Sequence, residues 1–205
     1  MNWPSRTSSR MLDTNLTIEQ IQDALARHYN FNVRQNIVVP NVSWGLLSYE
    51  ADFVSVSKSG YMTEVEIKRS WSDFRKDFTK KHLHNDIRSS YFFYCVPKSI
   101  REKVEDALYI YEEKNGKRQI VGLNDGVPSN VGLITYDNHD HQGNVIDWVA
   151  IDFITMGGRR RWARKLTDRE MLKLAHLGCM RVWDLKQKIA KLQQYDMFNQ
   201  KDKRL

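Results

Sequence analysis

The stretch YMTEVEIKRSW, residues 61–71, alternates charged and apolar side chains over most of its length. Successive side chains of an extended strand point to opposite faces, so Glu64, Glu66 and Lys68 share one face and the apolar residues between them share the other. A row of charges that met only water would be unremarkable. The meaning of this predicted strand therefore depends on whether another carboxylate lies beside its charged face.

The preceding strand supplies such a carboxylate. The sequence predicts two strands, over 49–56 and 61–69, joined by a tight turn into a β-hairpin. Pairing across this turn places Asp52 beside Glu66 and Lys68. Two carboxylates held close together repel each other unless a cation lies between them, and hard oxygen ligands of this kind suit Mg²⁺. A lysine at the edge of such a site would orient or deprotonate a water molecule, or stabilise charge on a phosphate.

The segments around the hairpin predict an α/β protein. A capping box at Thr17 and Gln20 begins a helix, and Gly178 is expected to end a helix that begins with a second capping box at Thr167. The remaining predicted elements are a strand over 32–42, a helix over 70–81, a buried strand over 89–97, a helix over 100–111, strands near 119–123, 131–136 and 145–153, and a last helix over about 180–197. This order implies a central mixed β-sheet flanked by helices.

The spacing Asp52-x13-Glu66-Ile67-Lys68, between a helix and strand before it and a helix and buried strand after it, resembles the PD-(D/E)xK nuclease superfamily. Within that superfamily, the stretch EIKRSWSDFRKDF…DIRSSYFFYCVP is similar to the MmcB-like DNA-repair proteins. Their Glu-x-Lys strand is likewise followed by a Ser-x-x-Asp-Phe helix and by a Tyr- and Phe-rich strand that ends in proline. The resemblance covers residues 17–98, and it implies a restriction-endonuclease-like core.

The resemblance also implies a set of roles. Asp52 and Glu66 would be catalytic residues that bind Mg²⁺ or Mn²⁺, with the backbone carbonyl of Ile67 as a further metal ligand. Lys68 would be the catalytic lysine. The implied activity is metal-dependent hydrolysis of DNA phosphodiester bonds, in DNA repair or recombination.

Two departures from the superfamily pattern keep an alternative open. Ala51 stands where the motif has its proline, and the first strand shows Arg34-Gln35-Asn36 where many relatives carry a further carboxylate. The alternative is a catalytically inactive DNA-binding module that retains the nuclease fold. A third interpretation is an interaction protein whose hairpin charges are merely solvated, and Glu64 itself is interpreted as a solvated acid.

The distribution of charge favours a polyanionic partner, most simply DNA. The chain carries a formal net charge of +7, and residues 157–205 hold 14 Lys and Arg against five Asp and Glu. A solvated basic helix is the alternative interpretation. Residues 157–161 are interpreted as a flexible basic arm ahead of the helix that begins at Thr167. The predicted phosphate contacts are Arg75, Lys76, Lys80, Lys81, Arg159, Arg160, Arg161 and Arg164.

The domain organisation is expected to have three parts: a flexible leader over 1–15, a nuclease-like α/β domain over 16–156 and a basic helical C-terminal extension over 157–205. No apolar stretch approaches the roughly 20 residues that would span a bilayer, so the sequence predicts no membrane partner and a cytoplasmic location. Cys95 and Cys179 are expected to be buried free thiols. A homodimer is left open.

Overall fold

The computed structural model describes residues 16–43, 45–80, 84–139 and 142–202. Six of its strands form one mixed sheet in the order β1-β2-β3-β4-β7-β8, in which β3 pairs in parallel with β4 and β4 with β7. Strands β5 and β6 form a separate antiparallel pair. The strands are β1 (Ile37–Val42), β2 (Ala51–Val56), β3 (Met62–Ile67), β4 (Ser89–Pro97), β5 (Tyr109–Lys114), β6 (Lys117–Leu123), β7 (Gly132–His139) and β8 (Val145–Thr155).

In the described ranges four α-helices flank this sheet, which confirms the α/β prediction. They are α1 (Ile18–Arg27), α2 (Trp71–Asp77), α3 (Arg101–Leu108) and α4 (Asp168–Asp202). A π-helical segment, His28–Asn32, follows α1, and a 3₁₀ segment, Lys98–Ile100, precedes α3. The predicted capping box at Thr17 and Gln20 is present at the start of α1.

The six-stranded sheet is covered on both faces. Helix α1 packs on one face, where Ile21 and Leu25 join Phe53, Val65 and Ile67 in an apolar cluster. The opposite face is covered by two further apolar clusters. In one of them Phe74 of α2 and Val104 of α3 pack on strand residues, and in the other Leu174 of α4 packs near β1 and β2. The charged side chains of β3 lie on this second face, because the residues that alternate with them are in the α1 cluster.

Several predicted boundaries are wrong, and one of them is the end of the helix predicted over 100–111, because α3 ends at Leu108 and Tyr109 begins β5. The first strand begins at Ile37 rather than at residue 32, because the π-helical segment extends the turn of α1 to Asn32. Helix α2 ends at Asp77, four residues before the predicted end. Gly178 does not end a helix, since α4 continues through it to Asp202. A Cβ at Gly178 would lie 3.2 Å from a methyl group of Val39, so the glycine permits close contact between α4 and β1.

Residues 157–161, which were interpreted as a flexible basic arm, are bonded to the rest of the protein, as are the residues that follow them up to Leu166. The backbone N–H groups of Arg160, Arg164 and Leu166 donate to the carbonyls of Ser90, Ile87 and Gly60 respectively, at 2.9 Å in each case. Leu166 is buried in the same apolar cluster as Leu174. Several backbone hydrogen bonds and a buried anchor hold this segment against the sheet, so the chain continues into the core beyond residue 156.

Candidate functional site

The hairpin formed by β2 and β3 brings the predicted acids together. Its register pairs Phe53 with Val65, which places Asp52 beside Glu66 one step further along the strands. The Oδ2 atom of Asp52 accepts a hydrogen bond of 2.8 Å from the backbone N–H of Ile67. This bond holds the half-buried Asp52 carboxyl against the end of β3, next to the peptide group that was predicted to contribute a metal ligand.

Lys68 contacts Glu66 directly. Its Nζ atom lies 2.7 Å from Oε1 of Glu66, and both residues are 4% exposed. The hydroxyl of Tyr136 on β7 donates to the backbone carbonyl of Lys68, which fixes the chain as it leaves β3. The other carboxylate oxygen of Glu66, Oε2, is buried and has no hydrogen-bond partner among the described residues. A buried carboxylate oxygen without a donor is costly, so this atom marks a place where a cation or a donor would be stabilised.

Asp77, which was not predicted as a site residue, lies at the centre of the charged cluster. Its Oδ1 atom is 2.7 Å from Nζ of Lys68 and 2.6 Å from Nζ of Lys80. Its Oδ2 atom accepts from the Tyr94 hydroxyl at 2.7 Å and lies 2.8 Å from Nε2 of His84. Asp77 is 1% exposed, and both of its carboxylate oxygens are fully paired.

Glu64 is not a solvated acid, so that interpretation is wrong. It is 0% exposed, and its Oε1 atom lies 2.7 Å from Nδ1 of His84 while its Oε2 atom accepts from the Tyr49 hydroxyl at 2.9 Å. Helix α2 and the segment that contains His84 cover this part of β3. The imidazole of His84 therefore bridges two buried carboxylates, Glu64 and Asp77.

Opposing effects set the protonation of this bridge. Burial lowers the pKa of His84, but hydrogen bonds to Asp77 and Glu64 outweigh it and raise the pKa to about 9. Burial would raise the pKa of Asp77, yet the hydrogen bonds from His84, Lys68 and Lys80 hold it far below the usual range of a carboxyl. At neutral pH His84 is thus an imidazolium held between two carboxylates.

The pKa of Asp52 is shifted in the opposite direction to that of Asp77. Burial, and then repulsion from the nearby Glu66 carboxylate, raise its pKa to about 7, although the Ile67 N–H and the ammonium groups of Lys68 and Lys80 act against this. A carboxyl that resists ionisation beside another carboxylate lacks sufficient positive charge. A divalent cation at this point would supply that charge and lower the pKa of Asp52.

Two carboxylates and the imidazole in the cluster have the geometry of metal ligands. Glu66, Asp77 and His84 are buried, and each offers one ligand atom within 4.8 Å of the others. In this arrangement, however, both nitrogens of His84 contact carboxylates, and Oδ1 of Asp77 contacts the ammonium groups of Lys68 and Lys80. The donors that face the least competition are Oε2 of Glu66 and the carboxyl of Asp52. The residues present therefore fit a hard divalent cation best at the Asp52 end of the cluster.

Most of the predicted phosphate-contact residues are exposed. Arg75 and Lys76 lie on the outer surface of α2, and Arg159 and Arg161 lie before α4. Arg159 also donates to the Tyr61 hydroxyl at 2.7 Å. Three of the other four differ from these. Arg164 is exposed but forms a two-pronged ion pair with Glu170, Lys80 contacts Glu66 and Asp77 through its Nζ atom, and Lys81 lies outside the described residues.

Arg160 does not fit the prediction of a phosphate contact. Its side chain is 0% exposed, with Nε donating to the carbonyl of Ser129 and Nη1 donating to the carbonyl of His84. The guanidinium also lies over the ring of Phe92, 5.2 Å from its centroid. A buried cation that is bonded to protein carbonyls is unavailable to a phosphate, and here it holds the His84 segment in place.

Sequence reasoning missed Asp77 and His84 for different reasons. Asp77 follows Phe74 by three residues and precedes Phe78, so helical periodicity places it on the apolar, inward face of α2. That signal was available, because an acid on an inward face requires a buried partner. No local pattern marks His84, which reaches the cluster because its left-handed backbone (φ 51°) and Arg160 position it there.

Comparison with known proteins adds information on the fold. The chain matches no protein-family model, and no curated protein matches it. A solved structure of a protein of unknown function from Silicibacter pomeroyi is similar, with a TM-score of 0.51 and 14% sequence identity, over 87% of this chain and 95% of that one. At this identity the likeness supports the α/β architecture alone.

Among the residues that the structure describes, no helix combines the length and the apolar character that crossing a membrane requires.

Proposed function

We propose that this protein is a metal-dependent nuclease of the PD-(D/E)xK type, that it hydrolyses DNA phosphodiester bonds, and that it uses Mg²⁺ or Mn²⁺ held by Asp52 and Glu66. The observation that carries the proposal is the buried Oε2 atom of Glu66, which has no hydrogen-bond partner in the described part of the chain, beside an Asp52 carboxyl whose pKa is raised to about 7. The order of hairpin, helix and parallel strand from β2 to β4 supports a restriction-endonuclease-like core.

Three groups would hold the ion: the carboxylates of Asp52 and Glu66 and the backbone carbonyl of Ile67. A divalent cation bound there supplies a water molecule of lowered pKa and positive charge beside the scissile phosphate. The Asp52 carboxyl is oriented for this task by the N–H of Ile67. The Oε1 atom of Glu66 is already bonded to Lys68, so Oε2 is the oxygen that would bind the ion.

Lys68 acts in this proposal as a fixed positive charge. Its Nζ atom lies 2.7 Å from a carboxylate oxygen of Glu66 and 2.7 Å from one of Asp77, and these contacts hold the ammonium in one position. A preorganised cation stabilises the negative charge that develops on the phosphate oxygens and requires little reorganisation during the reaction. Asp77 would be a positioning residue, because one of its carboxylate oxygens contacts Lys68 and Lys80 and the other contacts Tyr94 and His84.

Exposed basic side chains support DNA as the substrate. Arg75 and Lys76 lie on α2, the helix that also supplies Asp77, and Arg159 and Arg161 lie in the segment bonded to β4 and its approach. Contacts of this type hold the phosphate backbone and make the affinity fall steeply with salt.

The proposal is tested by incubating the purified protein with a labelled DNA duplex, a branched DNA and a single strand, each with Mg²⁺ or Mn²⁺. Cleavage is expected in the presence of metal. Glu66→Gln and Lys68→Ala should each reduce the rate by about 100-fold or more, because each removes charge from the reacting centre. Calorimetry with Mn²⁺ should show that Glu66→Gln also loses metal binding, whereas Lys68→Ala retains it.

Glu50→Gln is the matched control, since Glu50 is an exposed acid immediately before β2. It should keep both metal binding and cleavage. Circular dichroism must show that each variant is folded. Cleavage by folded Lys68→Ala at the full rate, or no cleavage of any of the three substrates by the unmodified protein with either metal, would contradict the nuclease proposal.

One observation favours a second function, a DNA-binding module that has the same fold and does not cleave. The ammonium groups of Lys68 and Lys80 both contact Oε1 of Glu66 and Oδ1 of Asp77, so two organic cations already neutralise these carboxylates. A protein of this kind would bind DNA in a salt-sensitive manner with no calorimetric signal for Mn²⁺. The cleavage assay and the Mn²⁺ calorimetry therefore separate the two functions.

A further inference from the structure

The second half of α4 presents an apolar stripe that nothing in the described structure covers. All the residues from Val182 to Gln193 are exposed, and within this part the side chains of Val182, Leu185, Ile189 and Leu192 are 53%, 58%, 46% and 66% exposed. An exposed group of large aliphatic side chains on one element indicates an interaction surface.

The first half of α4 differs in this respect. Leu174 is buried against the cluster beside β1 and β2, Gly178 contacts Val39, and Arg181 donates to the carbonyl of Asn41. The described helix is thus anchored to the sheet up to Arg181 and free of apolar cover after it. An isolated helical segment of about a dozen residues is marginal in water, so packing on a partner would stabilise it.

The spacing of the stripe indicates what kind of partner fits. The four residues follow one another at intervals of three, four and three, which is the a-d-a-d spacing of a coiled coil. The β-branched residues Val182 and Ile189 occupy the a positions, and Leu185 and Leu192 occupy the d positions. This combination favours pairing with one other helix.

The flanking charges select among helical partners. In this register Arg181 and Lys188 occupy g positions and Lys186 occupies an e position, and the described segment contains Asp184 as its acid. In a parallel pair of two copies, Arg181 of one chain would face Lys186 of the other. In an antiparallel pair centred on the stripe, Lys186 would face Lys186 and Lys188 would face Lys188. Like charges at these positions disfavour self-association.

We propose that residues 181–193 form a docking site for an acidic amphipathic helix of another protein, one with aliphatic side chains at its a and d positions and glutamates at its e and g positions. The partner would bury the stripe and place carboxylates against the exposed Lys186 and Lys188. Trp183 lies beside the stripe at 64% exposure with the Lys186 ammonium 4.8 Å from its ring, so it would report on binding. This inference is independent of the nuclease proposal.

The test uses the full chain and two designed peptides of about three heptads, a length at which helix pairing becomes measurable. Both peptides have Ile at a and Leu at d; one has Glu at all e and g positions and the other has Lys there. By fluorescence anisotropy the Glu peptide should bind at least about tenfold more tightly than the Lys peptide, since its glutamates would pair with the basic side chains beside the stripe and the lysines of the other peptide would be repelled by them. The double variant Lys186→Glu, Lys188→Glu should reverse the preference.

The double variant Leu185→Gln, Ile189→Gln should lose binding of the Glu peptide. Its matched control is Leu172→Gln, because Leu172 is 72% exposed on the same helix but lies outside the stripe, and this variant should bind normally. Since all three positions are exposed, circular dichroism should show unchanged folding. Equal affinity for the two peptides, or no binding of either, would overturn the proposal.

Other occupants of the stripe would give different results. Sedimentation that shows a dimer of the full chain, lost in Leu185→Gln, Ile189→Gln, would identify a second copy as the partner and would overturn the proposal. A membrane or DNA partner would also overturn the proposal. In that case the Glu peptide would not bind, whereas the full chain would bind phosphatidylserine vesicles or a DNA duplex and Leu185→Gln, Ile189→Gln would lose that binding.

Discussion

The buried charged face of the β2–β3 hairpin has two ends that differ in how completely their polar atoms are paired. At one end both oxygens of Glu64, both oxygens of Asp77 and both ring nitrogens of His84 have partners. At the other end Oε2 of Glu66 has no partner within the described ranges, and Asp52 has a pKa raised to about 7. The paired end stabilises the fold, whereas the unpaired end has unused capacity for a ligand.

The difference has a physical cause. The paired end lies under α2 and the His84 segment, so Tyr49, Tyr94 and the lysines supply donors from several directions. The unpaired end lies where β2 begins and β3 ends, and there the Ile67 N–H is the hydrogen-bond donor to Asp52. Because few protein donors reach the carboxylates at this end, a bound cation would stabilise them.

The largest expected effect is at the paired end. Asp77→Asn should lower the free energy of unfolding by about 3–5 kcal/mol, because it leaves the buried Lys68 and His84 cations without their shared carboxylate. Urea denaturation followed by circular dichroism measures this loss. The matched control is Asp23→Asn, which removes an exposed acid of an i, i+4 pair with Arg27 and should cost no more than about 0.5 kcal/mol. A loss below about 1 kcal/mol for Asp77→Asn would show that the paired end does not stabilise the fold as described.

The next effect concerns pH. The pKa of His84 is raised to about 9 in the folded protein from about 6.5 in an unfolded chain, so its contribution to stability is fully present below pH 6.5 and is lost as the pH rises through 9. The free energy of unfolding should therefore fall between these pH values in the unmodified protein. The fall should be smaller in His84→Gln and unchanged in the control His176→Gln, in which an exposed histidine of α4 is replaced. An equal fall in His84→Gln would assign the pH dependence to other groups.

A smaller effect is expected for Lys80. Its side chain is 39% exposed, and the two carboxylate oxygens that it contacts are also contacted by Lys68. Lys80→Ala should therefore lower the free energy of unfolding by about 1 kcal/mol or less. Thermal denaturation of Lys80→Ala and of Lys68→Ala compares the loss of stability that each lysine causes when it is removed. A greater loss for Lys80→Ala than for Lys68→Ala would mean that the exposed lysine, and not the buried one, holds the two carboxylates together.

The smallest effect on stability is expected at the unpaired end. Asp52→Asn at pH 8 should leave the free energy of unfolding unchanged within about 0.5 kcal/mol or raise it slightly, because it removes an unfavourable buried charge while an amide oxygen still accepts from Ile67 N–H. Calorimetry with Mn²⁺ should show loss of metal binding in the same variant. A strongly destabilised Asp52→Asn would erase the distinction between the two ends.

The order of helices and strands was predictable to a large extent because local patterns specify it. The capping box at Thr17, the turn over 57–60 and the apolar run over 89–97 each determine local backbone geometry, and the structure has the helix, hairpin and strand that they predict. Gly178 was misinterpreted because a glycine that allows close packing and a glycine that ends a helix look alike in a sequence. Cys95 is buried as predicted but Cys179 is exposed, which also depends on tertiary packing.

The site residues that could be predicted are those on the two adjacent strands of the hairpin. Alternation along the hairpin placed Asp52, Glu66 and Lys68 on one face, and the structure has them together. The burial of Glu64 and of Arg160 followed no local rule. Both are covered by segments that lie about 20 or more residues away in the chain, and a charged residue reads as exposed until its cover is known.

The amino-acid sequence by itself determined the strands of the hairpin, which side of β3 carries its charges, and the basic character of residues 157–205, because these properties depend on backbone periodicity and composition. Only the tertiary structure decided that the charged side is buried, that Asp77 and His84 complete it, and that Glu66 Oε2 has no donor among the residues that the structure describes. Burial and pairing depend on which distant segments pack together, and that packing determines whether a carboxylate is a solvated surface group or part of a site.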